Sequence, residues 1–181
     1  MEIFDKTRKI GAREIALVAI MAATIECGKL VLSFLPNIEV VTLLCALYGY
    51  VFGIYGVVAA AVFVCIEPLI YGFDSWFITY MIFWPAVAFI FMLLGRKKVK
   101  NRLIFTLIAI GLSILFGMLS SLIDSAVRLG VNEFYFKNTT IYYLRGLGFD
   151  FVHTVSNGVV FFGLYPFLLR KLTKIREMYG L

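Results

Sequence analysis

Polar side chains with chemical capability stand inside apolar stretches of this chain, where each of them needs a physical reason. Asp150, His153 and Asn157 are spaced i, i+3 and i+7, which places them on one face of a predicted helix. A carboxylate, an imidazole and an amide on one stripe could bind the donors and acceptors of a small molecule. They could equally join helices through hydrogen bonds. Both interpretations stay open, with ligand binding favoured.

Ionisable residues in the other apolar stretches lie at a similar depth. Charge at the centre of a bilayer costs about 2.5 to 3.5 kcal/mol, and these residues collect near the stretch ends that lack basic clusters: Glu26, Lys29, Glu67 and Asp124. The opposite halves of the same stretches are almost free of charge. This asymmetry predicts a polar cavity that opens to one side of a membrane above an apolar floor, and it disfavours a continuous channel or proton path.

Two sequence spacings also predict structural ion pairs. Asp124 and Arg128 stand at i, i+4, and Glu26 and Lys29 stand at i, i+3, both of which favour contacts along one helix.

A polar segment precedes the second apolar stretch. Asn37 is a candidate helix cap there, and Glu39 either stabilises the helix N-terminus through its dipole or faces a cationic group of a ligand.

Aromatic residues recur every four positions at Trp76, Tyr80 and Trp84, on one side of a predicted helix. Aromatic belts at membrane interfaces explain many such residues, but stacked rings also suit a flat organic ligand. The full set of predicted substrate-binding residues is Glu39, Glu67, Trp76, Tyr80, Trp84, Asp124, Arg128, Tyr143, Arg145, Asp150, His153 and Asn157.

The composition indicates the environment in which these residues must be positioned. Hydrophobic residues make up 62% of the 181 residues and charged residues 15%, whereas a soluble domain is about half apolar and a quarter charged. The net charge of +6 comes largely from three basic clusters, around 6–13, 96–102 and 170–176. Basic residues beside membrane helices remain cytoplasmic, so the clusters explain the charge without nucleic acid.

The chain is predicted to be an all-α integral membrane protein with one domain over 1–181. Its six transmembrane helices cover 12–34, 40–51, 54–70, 76–94, 103–126 and 147–169. Six helices keep both terminal basic clusters inside, whereas five would place one outside. The connections 35–39, 71–75 and 127–146 then lie outside. The last is long enough for a lid or binding loop.

Small residues form a strip on the first helix, at Ala16, Ala19, Ala22 and Ala23, and such spacing permits close helix approach. The strip could be a packing seam inside the fold or an external docking surface for a partner helix. The strip, the segments 36–42 (PNIEVVT), 52–56 (FGIYG) and 71–76 (YGFDSW), and Trp84-Pro85 resemble the S component of energy-coupling factor (ECF) transporters. The resemblance covers nearly the whole chain.

The resemblance implies a vitamin-binding subunit in a prokaryotic plasma membrane. Such a subunit captures its substrate from outside, docks through the alanine strip on a membrane scaffold protein with two cytoplasmic ATPases, and delivers the substrate by toppling in the bilayer. The branch of the family favours a cobalamin-related compound, although riboflavin-like and pyridoxine-like compounds also suit the polar and aromatic residues. The chain has no GxxxxGK[ST] loop, so ATP hydrolysis would belong to the partners.

The main alternative is a stand-alone, proton-coupled permease, which would need inverted repeats and charges near the midplane. A purely structural subunit is a further alternative. An enzyme is disfavoured because HExxH and Gly-x-Ser-x-Gly motifs are missing. We expect no cofactor and no metal: there is one histidine, and Cys27, Cys45 and Cys65 lack the CxxC spacing of a metal or redox site.

Overall fold

The structure, a computed structural model, describes residues 11–180; Lys6, Arg8 and Lys9 of the first basic cluster lie outside this range. The regular secondary structure of the described residues is entirely helical and includes no strand. Its helices are α1 (Ala12–Leu32), α2 (Val41–Phe52), α3 (Ile54–Tyr71), α4 (Ser75–Arg96), α5 (Arg102–Leu129), α6 (Tyr135–Gly163) and α7 (Tyr165–Tyr179).

Four helices, α1, α3, α4 and α5, are long and apolar enough to cross a membrane. A fifth span results if α6 and α7, which are bent by 54° at their junction, count as one. Large apolar side chains on several helices point outward, including Ile20, Leu107 and Val159. Together these features describe a multi-pass, all-α membrane protein.

The short helix α2 is the centre of the bundle and packs against α1, α3, α4 and α7. Ten of its 12 residues are buried. At about 1.5 Å per residue it extends about 18 Å, short of the ~30 Å hydrocarbon core. For this reason the count of six spans stays a prediction, although the predicted bounds of α2 and α3 lie within one residue of the observed helices.

Glycines allow the close contacts of α2. Gly53, with φ of 62°, forms the turn between α2 and α3. Gly49 lies so close to α4 that a Cβ atom built on it would be 2.0 Å from the carbonyl oxygen of Ala88. A side chain at Gly49 would therefore separate the two helices.

The predicted loop over 127–146 and the predicted helix over 147–169 both differ from the structure. The loop has only the five residues 130–134, and α6 begins at Tyr135 and ends at Gly163, before the bend. The Tyr135 hydroxyl donates to the Leu122 carbonyl at 3.0 Å, which ties the start of α6 to α5. The polar residues of this region lower its hydropathy, but they remain compatible with a helix.

The basic clusters meet at one end of the bundle. The Arg13 guanidinium donates to the Tyr179 carbonyl, so α1 and α7 touch there. Arg96, Lys98 and Arg176 line one cleft. We call this the basic end. The connections 33–40, 72–74 and 130–134 lie at the opposite end.

Candidate functional site

A cavity of about 290 Å³ opens at the end opposite the basic end. The connection between α1 and α2 covers one side of it, and the helices α1 to α6 each supply further lining residues. Its lining residues are Lys29, Leu32, Ser33, Leu35, Pro36, Asn37, Ile38, Glu39, Val41, Phe63, Tyr71, Tyr80, Trp84, Phe116 and His153.

Glu39 is the most densely bonded polar side chain of the cavity. Its Oε2 accepts the Thr42 amide at 2.8 Å, and its Oε1 accepts the Thr42 hydroxyl at 2.6 Å. From α6, Asn157 Nδ2 donates to Oε1 at 2.9 Å, and His153 Nε2 lies 3.1 Å from the same oxygen. Glu39 therefore caps the start of α2 and ties α2 to α6.

The environment of Glu39 decides its protonation. Burial alone would raise the pKa of its carboxyl, but hydrogen bonds from His153, Thr42 and Asn157 and the charge of His153 outweigh burial. The pKa of Glu39 is consequently held below its ordinary value of 4.5. A carboxylate only accepts, so His153 Nε2 carries the hydrogen in their contact. The side chain of Glu39 remains 17% exposed toward the cavity.

The amide of Asn157 links α6 to two other helices. Besides Glu39, its Nδ2 donates to the Ser113 hydroxyl of α5 at 3.0 Å. Ser113 in turn donates to the Ala109 carbonyl one turn back. The network thus joins α2, α5 and α6 directly beneath the cavity, which combines the two interpretations of the polar stripe on α6.

A second polar group closes the other side of the cavity. The Lys29 ammonium forms an ion pair with Glu67 of α3, which is only 1% exposed. The same ammonium lies 4.2 Å from the centre of the Tyr71 ring, a cation–π contact. The predicted pairing of Glu26 with Lys29 is therefore not the ion pair that forms: α3 lies against α1 and brings Glu67 to Lys29.

Aromatic rings form the wall between these polar groups. Tyr80 and Trp84 of α4 contact each other at 5.5 Å between ring centres, and Trp84 stacks on Phe116 of α5 at 5.7 Å. Phe116 also meets the His153 ring edge-on at 5.5 Å. The buried indole Nε1 of Trp84 has no hydrogen-bond partner among residues 11–180. A bound molecule could supply the missing acceptor.

Four predicted binding residues line the cavity itself: Glu39, Tyr80, Trp84 and His153. Three more stand directly behind it. Asn157 holds Glu39, Glu67 holds Lys29, and Trp76 packs on Tyr80 at 5.2 Å between ring centres.

Asp124 and Arg128 lie elsewhere, where α4 begins and α5 ends. Arg128 forms its ion pair with Asp74 at 2.8 Å, while Asp124 accepts the Ser75 hydroxyl. The predicted pairing of Asp124 with Arg128 is thus replaced by contacts between helices. The Ser75 amide and the Arg128 guanidinium hold the pKa of Asp74, which caps α4, below its ordinary range.

Tyr143, Arg145 and Asp150 do not line the cavity. Tyr143 and Arg145 belong to the part of α6 that was predicted as a loop, and Arg145 is exposed. The Asp150 carboxylate lies against Gly117 of α5, 2.2 Å from where a Cβ atom would stand. Asp150 shares a helix face with His153, but it lies nearer the start of α6.

Two further predictions differ from the structure. Asn37 does not cap α2, because the helix begins after Val40 and Asn37 adopts a left-handed φ of 59°. In α1, Ala16, Ala19 and Ala23 are exposed, but Ala22 is buried in the core and cannot belong to an outward strip.

Sequence reasoning missed several lining residues. For Lys29 the helical spacing predicts only an ion pair with Glu26 and gives no sign that this residue lines the cavity. Tyr71 begins the predicted outside connection 71–75, and its cation–π contact with Lys29 requires α1 to lie beside α3. Phe116 carries no sequence signal, because it is one apolar residue in an apolar helix.

The arrangement is suited to binding. It offers an acceptor at Glu39, a cation at Lys29, a buried donor without a partner among residues 11–180 at Trp84, and a flat aromatic wall, a combination typical of small-molecule pockets. Among residues 11–180, groups of three or more His, Cys, Asp or Glu side chains that could hold a metal ion are absent. Comparison with known proteins finds no matching family profile, no matching curated protein and no matching solved structure.

Proposed function

We propose that this chain is the substrate-binding S component of an ECF-type transporter, which captures a vitamin-like molecule from outside the cell. The observation that carries the proposal is the Glu39 network. A half-buried carboxylate held by His153 and Asn157 lies at an aromatic cavity, at the end opposite the basic clusters. The deeper core is apolar, at Leu47, Phe91 and Phe161 among others.

The orientation follows from the charges. Basic residues remain cytoplasmic, so the basic end lies inside and the cavity faces outward. With α2 and α3 as a hairpin, the chain makes six passages with both termini in the cytoplasm. The location is the plasma membrane of a prokaryote.

The ligand is a ring-bearing compound with hydrogen-bond donors. The Trp84–Phe116 wall suits a flat ring, Glu39 accepts a donor, and the indole N–H of Trp84 donates to a ring acceptor. A volume of about 290 Å³ lies at the lower end of the ~300–1,000 Å³ range of small-molecule sites. It favours a compound of one or two rings. A cobalamin-related ligand would require the 33–40 connection to open.

Delivery would depend on partners. The exposed alanines at Ala16, Ala19 and Ala23 supply a smooth surface on which a helix of a membrane scaffold subunit could pack closely. Two cytoplasmic ATPases on that scaffold would drive transport. A receptor that reorients as a body needs no polar path through its lower half, consistent with the apolar core.

The test begins with ligand identity. The full chain is purified from its native membrane, and small molecules released by denaturation are identified by mass spectrometry. We expect a stoichiometric ring compound. Glu39→Gln should weaken its binding about tenfold or more, because a hydrogen bond to a charged group contributes about 1.5–3 kcal/mol. Trp84→Phe should also weaken binding while it preserves the ring. Glu133→Gln, an exposed acid-to-amide change outside the cavity, is the matched control.

Two results would overturn the proposal. One is ligand affinity that is unchanged in both Glu39→Gln and Trp84→Phe. The other is uptake by the protein alone in vesicles, driven by a proton gradient without ATPases, which would establish the permease instead.

A further inference from the structure

A large groove, here called the cationic groove, lies at the basic end between the start of α5 and α7. Its volume is about 820 Å³. Four cationic side chains surround it, Lys100, Arg102, Arg170 and Lys174, and Glu177 is the one acid among its lining residues. The groove therefore attracts an anion.

The floor of this groove is apolar. Tyr50, Phe105, Pro166 and Leu169 line it. Tyr50 is held there by its hydroxyl, which donates to the Val99 carbonyl at 2.6 Å. A free inorganic anion would leave this apolar surface uncovered, so the shape suits a ligand with both a charged and an apolar part.

A separate groove of about 570 Å³, here called the apolar groove, runs along the outer side of α5 and α6. It is almost entirely apolar, and Ile110, Val155, Val159 and Phe162 are among its lining residues. Free space remains beside Gly163, since a Cβ atom on this residue would meet nothing within 4 Å. Its apolar lining and the outward exposure of Val155, Val159 and Phe162 suit a hydrocarbon chain of the bilayer.

Arg102 connects the two grooves. It lines the cationic groove, and its guanidinium lies 4.3 Å from the centre of the Phe162 ring, which lines the apolar groove. Phe105 and Thr106, adjacent in α5, line the cationic and the apolar groove respectively. An anion held by Arg102 would thus lie beside the apolar groove, which could hold a hydrocarbon chain.

We propose that the two grooves form one binding site for an anionic phospholipid of the surrounding bilayer. The headgroup phosphate lies among Arg102, Arg170 and Lys174, and one acyl chain follows the apolar groove between α5 and α6. Basic pockets between transmembrane helices bind anionic headgroups in this manner. The lipid would bridge α5, α6 and α7, and so would hold α7 at its bend. This site does not depend on the proposed function.

The first test measures lipid binding to the full chain in detergent by native mass spectrometry, with phosphatidylglycerol and phosphatidylcholine as probes. The wild type should retain phosphatidylglycerol preferentially. The double variant Arg102→Gln/Lys174→Gln should weaken that binding about tenfold or more, since each basic residue contributes to headgroup attraction. Lys97→Gln/Lys171→Gln, with the same charge change outside the groove, should alter it less than about twofold.

The second test separates a lipid from a soluble anion. Gly163→Leu fills the apolar groove without a charge change, so it should weaken long-chain phosphatidylglycerol binding and leave glycerol phosphate binding unaffected. Equal losses in the two double variants would overturn the site, because general surface charge would then explain the binding. Unchanged lipid affinity in Gly163→Leu would also overturn it, in favour of a simple phosphate site.

Discussion

Glu39 performs two structural tasks with one carboxylate. It accepts the free amide of Thr42 at the start of α2, and it accepts donors from α6, so the central helix and the last long helix share one anchor. Negative charge at a helix N-terminus is favourable on its own. The same group borders the cavity, where among the described residues its Oε2 accepts a single hydrogen bond. A ligand donor can therefore be added without breaking the network.

The acid stability of the protein should depend on Glu39. Its pKa in the folded state is below the ordinary 4.5, so its contribution is fully present above that value and is lost as the pH falls through the folded pKa. We expect Glu39→Gln to reduce the free energy of unfolding at neutral pH by about 1.5–3 kcal/mol. Its thermal midpoint at neutral pH should fall accordingly. Its midpoint should fall less than that of the wild type between about pH 5 and pH 3.

The measurement is thermal unfolding in detergent across this pH range, with Glu133→Gln as the exposed control. The control should follow the wild-type pH dependence. If Glu39→Gln and the wild type lose stability in parallel as the pH falls, Glu39 is not the carboxylate responsible.

Single-residue chemistry was only partly readable from the sequence. Helical spacing placed His153 and Asn157 on one face, and both bind Glu39. It could not show that Lys29 would pair with Glu67 or Arg128 with Asp74, because Glu67 lies on another helix and Asp74 lies in the connection before α4. Spacing reports neighbours along one helix, whereas the ion pairs of this bundle depend on which helices pack together.

Among the elements, α2 combines short length with the deepest burial. It crosses α4 at Gly49 with backbone contact, so its position is set by the absence of a side chain there. The Thr42 and Glu39 contacts fix one end of α2, and the turn at Gly53 fixes the other. Movement of α2 would displace Val41, which lines the cavity.

Gly49→Ala should destabilise the protein by about 1–3 kcal/mol, because the added methyl group meets backbone that cannot rotate away. Gly111→Ala on α5 is the control, since a Cβ atom there meets nothing within 4 Å. Thermal unfolding of both variants in detergent provides the comparison. An equal midpoint for the two variants would contradict the close crossing of α2 and α4.

Hydropathy located most elements and misjudged α6. The bounds of α2 and α3 could be predicted because Gly53 interrupts a continuous apolar block. The first half of α6 carries Lys137, Asn138 and Arg145, which lowered its hydropathy below that of a membrane helix. With 29 residues, α6 extends about 43 Å, more than the ~30 Å hydrocarbon core. Its polar first half can therefore lie outside the bilayer, where apolarity is not required.

At the scale of the whole molecule, polarity is divided between two ends. One end holds the cavity with its Glu39 and Lys29 groups. The other gathers the basic clusters and the cationic groove. Because an excess of basic residues remains on the cytoplasmic side of a membrane, the basic end is predicted to face the cytoplasm and the cavity to face the outside.

Cysteine labelling can test this arrangement and the number of spans together. Cys27 and Cys65 are replaced by alanine, while Cys45, which is fully buried, remains. Single cysteines are then introduced by Ser33→Cys, Lys97→Cys and Lys171→Cys, all at exposed positions.

In intact cells a membrane-impermeant maleimide should label only the Ser33→Cys protein, because six passages put the other two sites in the cytoplasm. Permeabilised cells, in which all three should react, are the control. If α2 did not contribute a passage, the Lys97 and Lys171 sites would both lie outside with Ser33 and would react in intact cells. That pattern would contradict the six-helix arrangement, and with it the outward cavity and inward basic end.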